Sequence, residues 1–370
     1  MSRFSQRLGS ALKESAHRMS SVRSEKREKN VVKQKPVLLD AGFILIEAIG
    51  SGGQGEVYRA NVKSEENKEV AVKIISKAAC RDDASRRAVE VEIGILKELD
   101  HPNVVTLIEV CEDNENWYVI TELLNGGDLY DRIQKGALSE HQLVKFAEYT
   151  FSILKYLHAK GIAHRDLKLE NFMLHKDPAT GVEFIKLIDF GFSYRKKEGK
   201  KFVTDDHPGT LSYQAPEIVR QQPYKPEKVD IWCAGVMLYS AFEKAFPFYG
   251  ANEREIERSI LTAKPVFGCS GWKAAGQDFE NLIVSCLEKD QKKRPTAAQA
   301  YKKVLAILDK KVLLSPKHNP RNVNLGEKDT KFHRFGRSLS AKVRNGKKMA
   351  GSASSRNLLS SLGSSKNLAA

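Results

Sequence analysis

Apolar positions fall into two regimes along the chain, changing near Gly126-Gly127. Before that point "GFILIEAIG", "KEVAVKII" and "WYVITELL" are β-branched runs of strand length, and the first two bracket a glycine-rich turn as strands of a small sheet would. Between the second and third, "ASRRAVEVEIGILKEL" shows the three- and four-residue apolar steps of a helix. Beyond the glycines the period is mostly helical: "LVKFAEYTFSILKYLHAKG", "KVDIWCAGVMLYSAFEKA", "FENLIVSCLEKD" and "AAQAYKKVLAIL" all bury one face or more. The pattern predicts an α+β chain. A β-rich lobe with one main helix leads into a larger helical lobe through a connector at Glu122–Gly127.

The folded part is expected over 37–314, with lobes at 37–121 and 128–314 and the connector at 122–127. Residues 1–36 and 315–370 are rich in Ser, Lys and Arg, too polar to offset the entropy of ordering. The last twenty residues repeat a Ser-Ser-basic-Asn-Leu unit, at Ser354–Leu358 and Ser364–Leu368. In the first twenty, Phe4, Leu8, Leu12, Ala16 and Met19 follow helical spacing, with Arg3, Arg7, Lys13 and Arg18 outside the stripe. That reads either as a basic amphipathic helix for a membrane surface or a partner, or as a nascent helix in a loose tail.

Charge alters this picture only once it is located. The formal net charge is +15, but residues 1–36 contribute +7 and 315–370 contribute +10, leaving −2 for 37–314. A groove for DNA or RNA would place its charge on the folded domain, so specific nucleic-acid binding is not expected. No apolar run is long enough to span a bilayer, and Met1-Ser2-Arg3 offers neither a secretory stretch nor a myristoylation glycine; a cytoplasmic or nuclear location is expected. Cys80, Cys111, Cys233, Cys269 and Cys286 form no CxxC pair, which suggests reduced thiols and no zinc or disulfide framework.

The candidate chemistry lies in short motifs. "IGSGGQGEVYRA" contains Gly50-x-Gly52-x-x-Gly55, a spacing that also opens dinucleotide-binding helices. Here a strand with Lys73 follows instead of a helix, so the two strands and their turn form a flap whose backbone can close over phosphates. "HRDLKLEN", residues 164–171, packs a histidine, two carboxylates, an arginine, a lysine and an asparagine into eight positions. Two carboxylates alone would also suit glycoside hydrolysis, but the lysines, glycines and asparagine have no part in that reaction.

With "GSGGQG", "VAVK", "HRDLKLEN", "DFG" and "APE" each present once and in order, the chain from Gly42 to about Leu308 resembles a eukaryotic protein kinase. The resemblance implies a bilobal fold with a small antiparallel sheet, and ATP and Mg2+ as cofactors. It implies that Lys73 holds the α- and β-phosphates and pairs with Glu92, for which Glu90 and Glu98 are rivals. Asp189 and Asn171 become metal ligands, Asp166 the acceptor of the substrate hydroxyl proton, and Lys168 the cation that neutralises the transferring group. Adenine would bond to backbone at Glu122 and Leu124 between Val57, Ala71 and Met173, with Thr121 limiting access to a back pocket. His164, Phe190, Leu96 and Leu107 match a stacked apolar column, Glu217 and Arg294 a buried ion pair, and Asp230 the anchor of the 164–171 loop. All four of Lys73, Asp166, Asn171 and Asp189 are present, which argues against a catalytically dead scaffold.

Regulation and specificity are expectations of the same resemblance. Arg165 implies an anion on the activation segment, and Asp206, helped by Asp205, stands where a phosphothreonine is frequent; Thr204 is the alternative phosphate site. Lys168 after Asp166 marks serine/threonine specificity, Phe192 favours serine, and Asp128 with Glu170 suits arginine before the target. The tail serines Ser338, Ser340 and Ser360 follow Arg334, Arg337 and Arg356 as such targets would. The texture is most similar to the calcium/calmodulin-dependent and AMP-activated-like kinases, without a D-x-D-x-D-G calcium loop and without a clean apolar face over 309–349. Expected partners are protein substrates, and a regulatory protein or anionic membrane surface for the basic tails.

Overall fold

The computed structural model describes residues 32–52, 55–136, 138–177, 180–204 and 210–314. It begins at Val32, inside the segment that composition assigns to the tail. Gln34 is the reason: its side chain donates to Leu45 O at 2.7 Å and accepts from Leu45 N at 2.9 Å, so the chain is tied to the first strand before the first helix starts.

That helix, α1 (Pro36–Asp40), leads into β1 (Phe43–Gly52), β2 (Gly55–Val62) and β3 (Glu69–Ser76). Helix α2 (Asp83–Glu98) follows, capped by the Asp82 carboxylate accepting from Ser85 N at 2.7 Å. Strands β4 (Leu107–Glu112) and β5 (Asn116–Glu122) complete an antiparallel sheet ordered β1-β2-β3-β5-β4. Its outer face packs on α1 through Leu38, Phe43, Val70, Tyr118 and Ile120, a small core of its own.

The connector crosses to α3 (Leu129–Gln134) and α4 (Glu140–Ala159). Gly126 N donates to Leu174 O and Leu174 N to Gly127 O, both at 2.8 Å. A Cβ on Gly126 would lie 2.6 Å from Leu174 Cβ, so only glycine permits this approach. Helix α4 starts with a capping box, Ser139 and Gln142 bonding reciprocally, a signal readable in "SEHQ".

Short strands then carry the loops: β6 (Ile162–Ala163) pairs with β9 (Tyr194–Arg195), and β7 (Phe172–Lys176) with β8 (Glu183–Leu187). The remaining helices are α5 (Pro216–Val219), α6 (Pro226–Glu243), α7 (Glu253–Thr262), α8 (Gly271–Ala275), α9 (Gln277–Cys286) and α10 (Ala297–Leu314). Helix α6 is apolar all round and buried along nearly its whole length, which makes it the fixed axis of this lobe. Arg294 seals one end: its guanidinium, stacked 5.0 Å over Trp232, meets Glu217 through two bonds of 2.6 and 2.7 Å. Among the described residues all five cysteines are free thiols, and no helix is long and apolar enough to cross a membrane.

Candidate active site

Sheet register decides which side chains face the interlobe cleft. Val57 pairs with Lys73, Lys73 with Val119, and Ala71 with Thr121, so Val57, Ala71, Lys73 and Thr121 share one face. Gly50 pairs with Val57 and Gly52 with Gly55, which places the three glycines at the turn end of the β1–β2 ribbon. A Cβ on Gly55, at φ +137°, would sit 2.2 Å from Ile74 O; the ribbon tolerates no side chain there.

Lys73 Nζ meets Glu92 Oε1 at 2.8 Å, and Glu90 and Glu98 do not compete, since Glu98 pairs with Arg195 at 3.0 Å and Glu90 is exposed. Burial pushes the Glu92 carboxyl above its usual range; Lys73 pulls the other way, and the nearby Asp189 adds to the rise. Asp189 Oδ1 accepts from Gly191 N at 2.9 Å.

The 164–171 loop is a turn organised from outside. Asp230 on α6, fully buried, accepts from His164 N at 2.9 Å, Arg165 N at 2.7 Å and His158 Nε2 at 2.8 Å. Burial alone would raise this carboxyl, but the His158 bond and charge, His164 and the Arg165 N–H hold it below the ordinary carboxylate range. The tie keeps Arg165 in the left-handed region, φ 67°, which costs a non-glycine residue about 1 kcal/mol or more. Side chains therefore leave the turn in divergent directions. His164 packs edge-on against Phe190 at 5.2 Å, within the core that also holds Leu96 and packs against Leu107. Arg165 donates from Nε to Phe192 O at 2.8 Å and lies over the Tyr194 ring at 5.3 Å, among the residues that follow "DFG".

Asp166, only 5 % exposed, receives Lys168 Nζ on Oδ2 at 2.6 Å, and Asn171 Nδ2 on its carbonyl oxygen at 2.8 Å. Leu167 and Leu169 between them are buried anchors. Asn171 thus commits its amide nitrogen, and its oxygen is the end available to a cation. Glu170 is pushed above the usual carboxylate range by burial, with Asp128 and Asp166 adding to the rise, and its Oε2 has no hydrogen-bond partner. Asp128 caps α3 through Asp131 N at 2.7 Å, and both Asp128 and Glu170 raise the Tyr130 hydroxyl behind the burial that dominates there.

Met173 is bridged to Asp128 and pairs across β7–β8 with Lys186. Sequence reading overlooked Lys186. Its Nζ bonds Glu122 Oε1 at 2.6 Å, and the same oxygen accepts Thr106 N at 2.7 Å, so the Glu122 side chain is fixed while Leu124 lies buried beside it. His158 was also overlooked; its periodic position in "LKYLHAKG" gives no hint of a partner on α6. Thr204 exchanges backbone bonds of 3.1 and 2.9 Å with Tyr224, whose hydroxyl lies 3.5 Å from Arg165 Nη1. Asp205 and Asp206 lie outside the described residues.

The protein kinase domain family matches residues 43–305 of the chain. Over 279 residues the chain is 34 % identical to calcium/calmodulin-dependent protein kinase type 1 of Macrobrachium nipponense, covering 75 % of this chain and 78 % of that protein. It is 36 % identical over 279 residues to calcium/calmodulin-dependent protein kinase type I of Schizosaccharomyces pombe, covering 74 % and 81 %. The chain belongs to the protein kinase family. Its relatives make it a serine/threonine protein kinase, a transferase that uses ATP to phosphorylate proteins. Similarity to calcium-dependent protein kinase 5 of Plasmodium falciparum, 37 % over 257 residues, covers 69 % of this kinase but only 43 % of that longer protein.

The raised Glu92 carboxyl gives this kinase an acid limit that differs from its unfolding limit. A carboxyl raised in the fold contributes most stability below its unfolded value and loses that contribution as pH rises through its folded value. The ion pair runs the other way, because protonated Glu92 no longer holds Lys73. As pH falls toward the raised value, kcat/KM is expected to drop with Glu92 contributing no loss of thermal stability. Glu92→Gln should be about tenfold less active, about 1.4 kcal/mol in transition-state stabilisation, and lack that acidic limb. An unchanged acidic limb in Glu92→Gln would remove Glu92 as its origin.

Proposed function

We propose that the kinase transfers the γ-phosphoryl group of ATP to serine, and less readily threonine, in basic-context protein segments. The observation that carries this reading is the convergence of Lys168 Nζ and Asn171 Nδ2 on Asp166. Asp166 accepts the proton of the substrate hydroxyl as its oxygen bonds the γ-phosphorus and the bond to the β-phosphate oxygen breaks, releasing ADP. Lys168 neutralises charge on the transferring group. Lys73, oriented by Glu92, holds the α- and β-phosphates under Gly50, Gly52 and Gly55. Adenine lies between Val57, Ala71 and Met173, bonded to backbone at Glu122 and Leu124, with Thr121 at its rear.

The site fits Mg2+ as a bound partner of the nucleotide. Asp189 and the Asn171 amide oxygen are hard oxygen donors. Among the described residues no group of three or more His, Cys, Asp or Glu side chains gathers as a metal cage. Two protein oxygens completed by phosphate and water is coordination that Mg2+ accepts, and its charge would neutralise the phosphates.

The basic-context preference rests on Glu170 and Asp128. A buried carboxylate oxygen without a partner is costly until a cation arrives, and an arginine preceding the target serine supplies one. Activation follows from Arg165: a permanent carboxylate at Asp206 serves in place of a phosphate, so the unmodified chain is active. Regulation by a calcium-binding partner, as the names of the relatives state for those proteins, belongs to surfaces outside this site.

One labelled-ATP assay with Mg2+ addresses these readings together. Asp166→Asn should lower kcat by about 100-fold or more. Glu170→Gln should lower kcat/KM about tenfold for a peptide with upstream arginine, yet leave an arginine-free peptide and the KM for ATP unchanged. Thr204→Ala should keep its activity. Transfer by Asp166→Asn at the wild-type rate would refute the assignment of Asp166. Equal loss on both peptides would refute the arginine site, and an inactive but folded Thr204→Ala would refute the permanent anion.

A further inference from the structure

The connector between the lobes is tied at both ends, and the ties leave little chain between them. At its far end Asn125 Nδ2 donates to Lys176 O at 3.0 Å and Lys176 N to Asn125 Oδ1 at 2.8 Å, next to the bond from Gly126 N to Leu174 O. At its near end the tie is an ion pair. Lys186 Nζ donates to Glu122 Oε1 at 2.6 Å, with the Lys186 side chain 5 % exposed and that of Glu122 18 %. Between these anchors lie only Leu123 and Leu124.

Lys186 fixes height as well as direction. Thr121 faces the cleft beside Ala71, so the next residue, Glu122, turns its side chain away from the nucleotide and toward β8. There Lys186 is flanked by Ile185 and Leu187, which are bonded to the segment before β4: Val105 N to Leu187 O, Leu187 N to Asn103 O and Asn103 Nδ2 to Ile185 O, each at 2.9 Å. Thr106 N, in the same segment, donates at 2.7 Å to the Glu122 oxygen that Lys186 holds. Across the β7–β8 hairpin Lys186 pairs with Met173, assigned to the floor beneath adenine. One side chain thus sets the spacing between floor and connector. His175 does not compete for Glu122: burial pushes its ring below the ordinary range, with Glu122 and Asp177 opposing and Lys186 adding, so it is neutral at pH 7.

A buried ion pair is weak support for stability, because the cost of taking both charges out of water offsets most of their attraction; its better-attested use is to specify one geometry. We propose that Lys186 is a positioning residue for nucleotide recognition, clamping Glu122 so that the backbone of Glu122 and Leu124 stands at the spacing adenine requires. This rests on the reading that adenine lies between Val57, Ala71 and Met173. Preorganisation of this kind acts on affinity and on base choice. Adenine presents a donor at its exocyclic nitrogen and an acceptor at the adjacent ring nitrogen; guanine presents the reverse, so a clamped pair of backbone groups accepts one and leaves the other unpaired. A slackened connector adjusts to either. Lys186 meets Glu122 and none of the groups assigned to the phosphates, so the transfer step does not depend on it.

Titration of the full chain with ATP and with GTP, in the presence of Mg2+, tests the clamp. Lys186→Met should weaken ATP binding about tenfold and lower the ratio of ATP to GTP affinity, with kcat at saturating ATP within about twofold of wild type. That variant leaves the Glu122 carboxylate without its cation, so Glu122→Gln/Lys186→Met guards against loss of the fold: no charge is buried, and the glutamine oxygen still accepts Thr106 N. The double variant should melt like the wild type while keeping the weakened ATP binding and the reduced ratio. Wild-type ATP affinity and base ratio in the double variant would overturn the proposal and leave the pair a packing element. Equal losses of ATP and GTP affinity would overturn it as well. Ala71→Leu separates the clamp from the adenine placement, because it narrows the slot itself. It should weaken ATP binding, and an unchanged affinity would overturn the placement on which the clamp rests.

Discussion

A single buried carboxylate sets the geometry on which this kinase's chemistry depends. Asp230 projects from α6, a helix enclosed by the core and unable to shift without disturbing the whole lobe. Its two oxygens accept the backbone of His164 and Arg165 and the ring of His158. Removing a carboxylate from water is costly, and three donors are what offset it. The return is a turn bent through a left-handed Arg165, which sends three consecutive side chains to three destinations. His164 enters the apolar column with Phe190, Arg165 meets the backbone of Phe192, and Asp166 meets Lys168 and Asn171. An extended segment would instead send His164 and Asp166 to the same face.

The small lobe brings its share to this fixed frame by looser means. Lys73 and Glu92 belong to a strand and a helix joined only through a loop and a short helical turn, and their bond is made across partly exposed space. The connector is held more firmly: Gly126 and Gly127 are zipped to Leu174, and the Glu122 side chain to Lys186 on the strand opposite Met173. Cleft floor and connector therefore move together, while α2 is the element whose position is open to influence.

Much of this was legible in the sequence because it is local. Strand and helix periods gave the lobes, and Asp166, Lys168 and Asn171 lie within eight residues whose polar content has no place on a helix face. What escaped were pairings between distant residues of ordinary appearance. Lys186 and Glu122 are 64 residues apart, and His158 and Asp230 are 72 apart; neither lysine nor histidine is marked by its neighbours. The two-residue strands β6 and β9 have no period to detect. The packing of Val32–Lys35 rests on the Gln34 side chain and on Val32 against the core of the small lobe, in a basic, polar stretch where composition points to disorder. The partnerless oxygen of Glu170 is likewise a property of burial, which its neighbours in the sequence do not announce.

The central dependence is tested most directly by Asp230→Asn, measured for ATP binding and single-turnover phosphoryl transfer. The amide keeps the shape but presents an N–H group to backbone donors, so one of the two loop bonds is lost. The expected result is ATP affinity within about twofold of wild type, showing an intact fold, with transfer slowed about 100-fold as Asp166 moves off its position. Transfer at the wild-type rate in a folded Asp230→Asn protein would contradict the account.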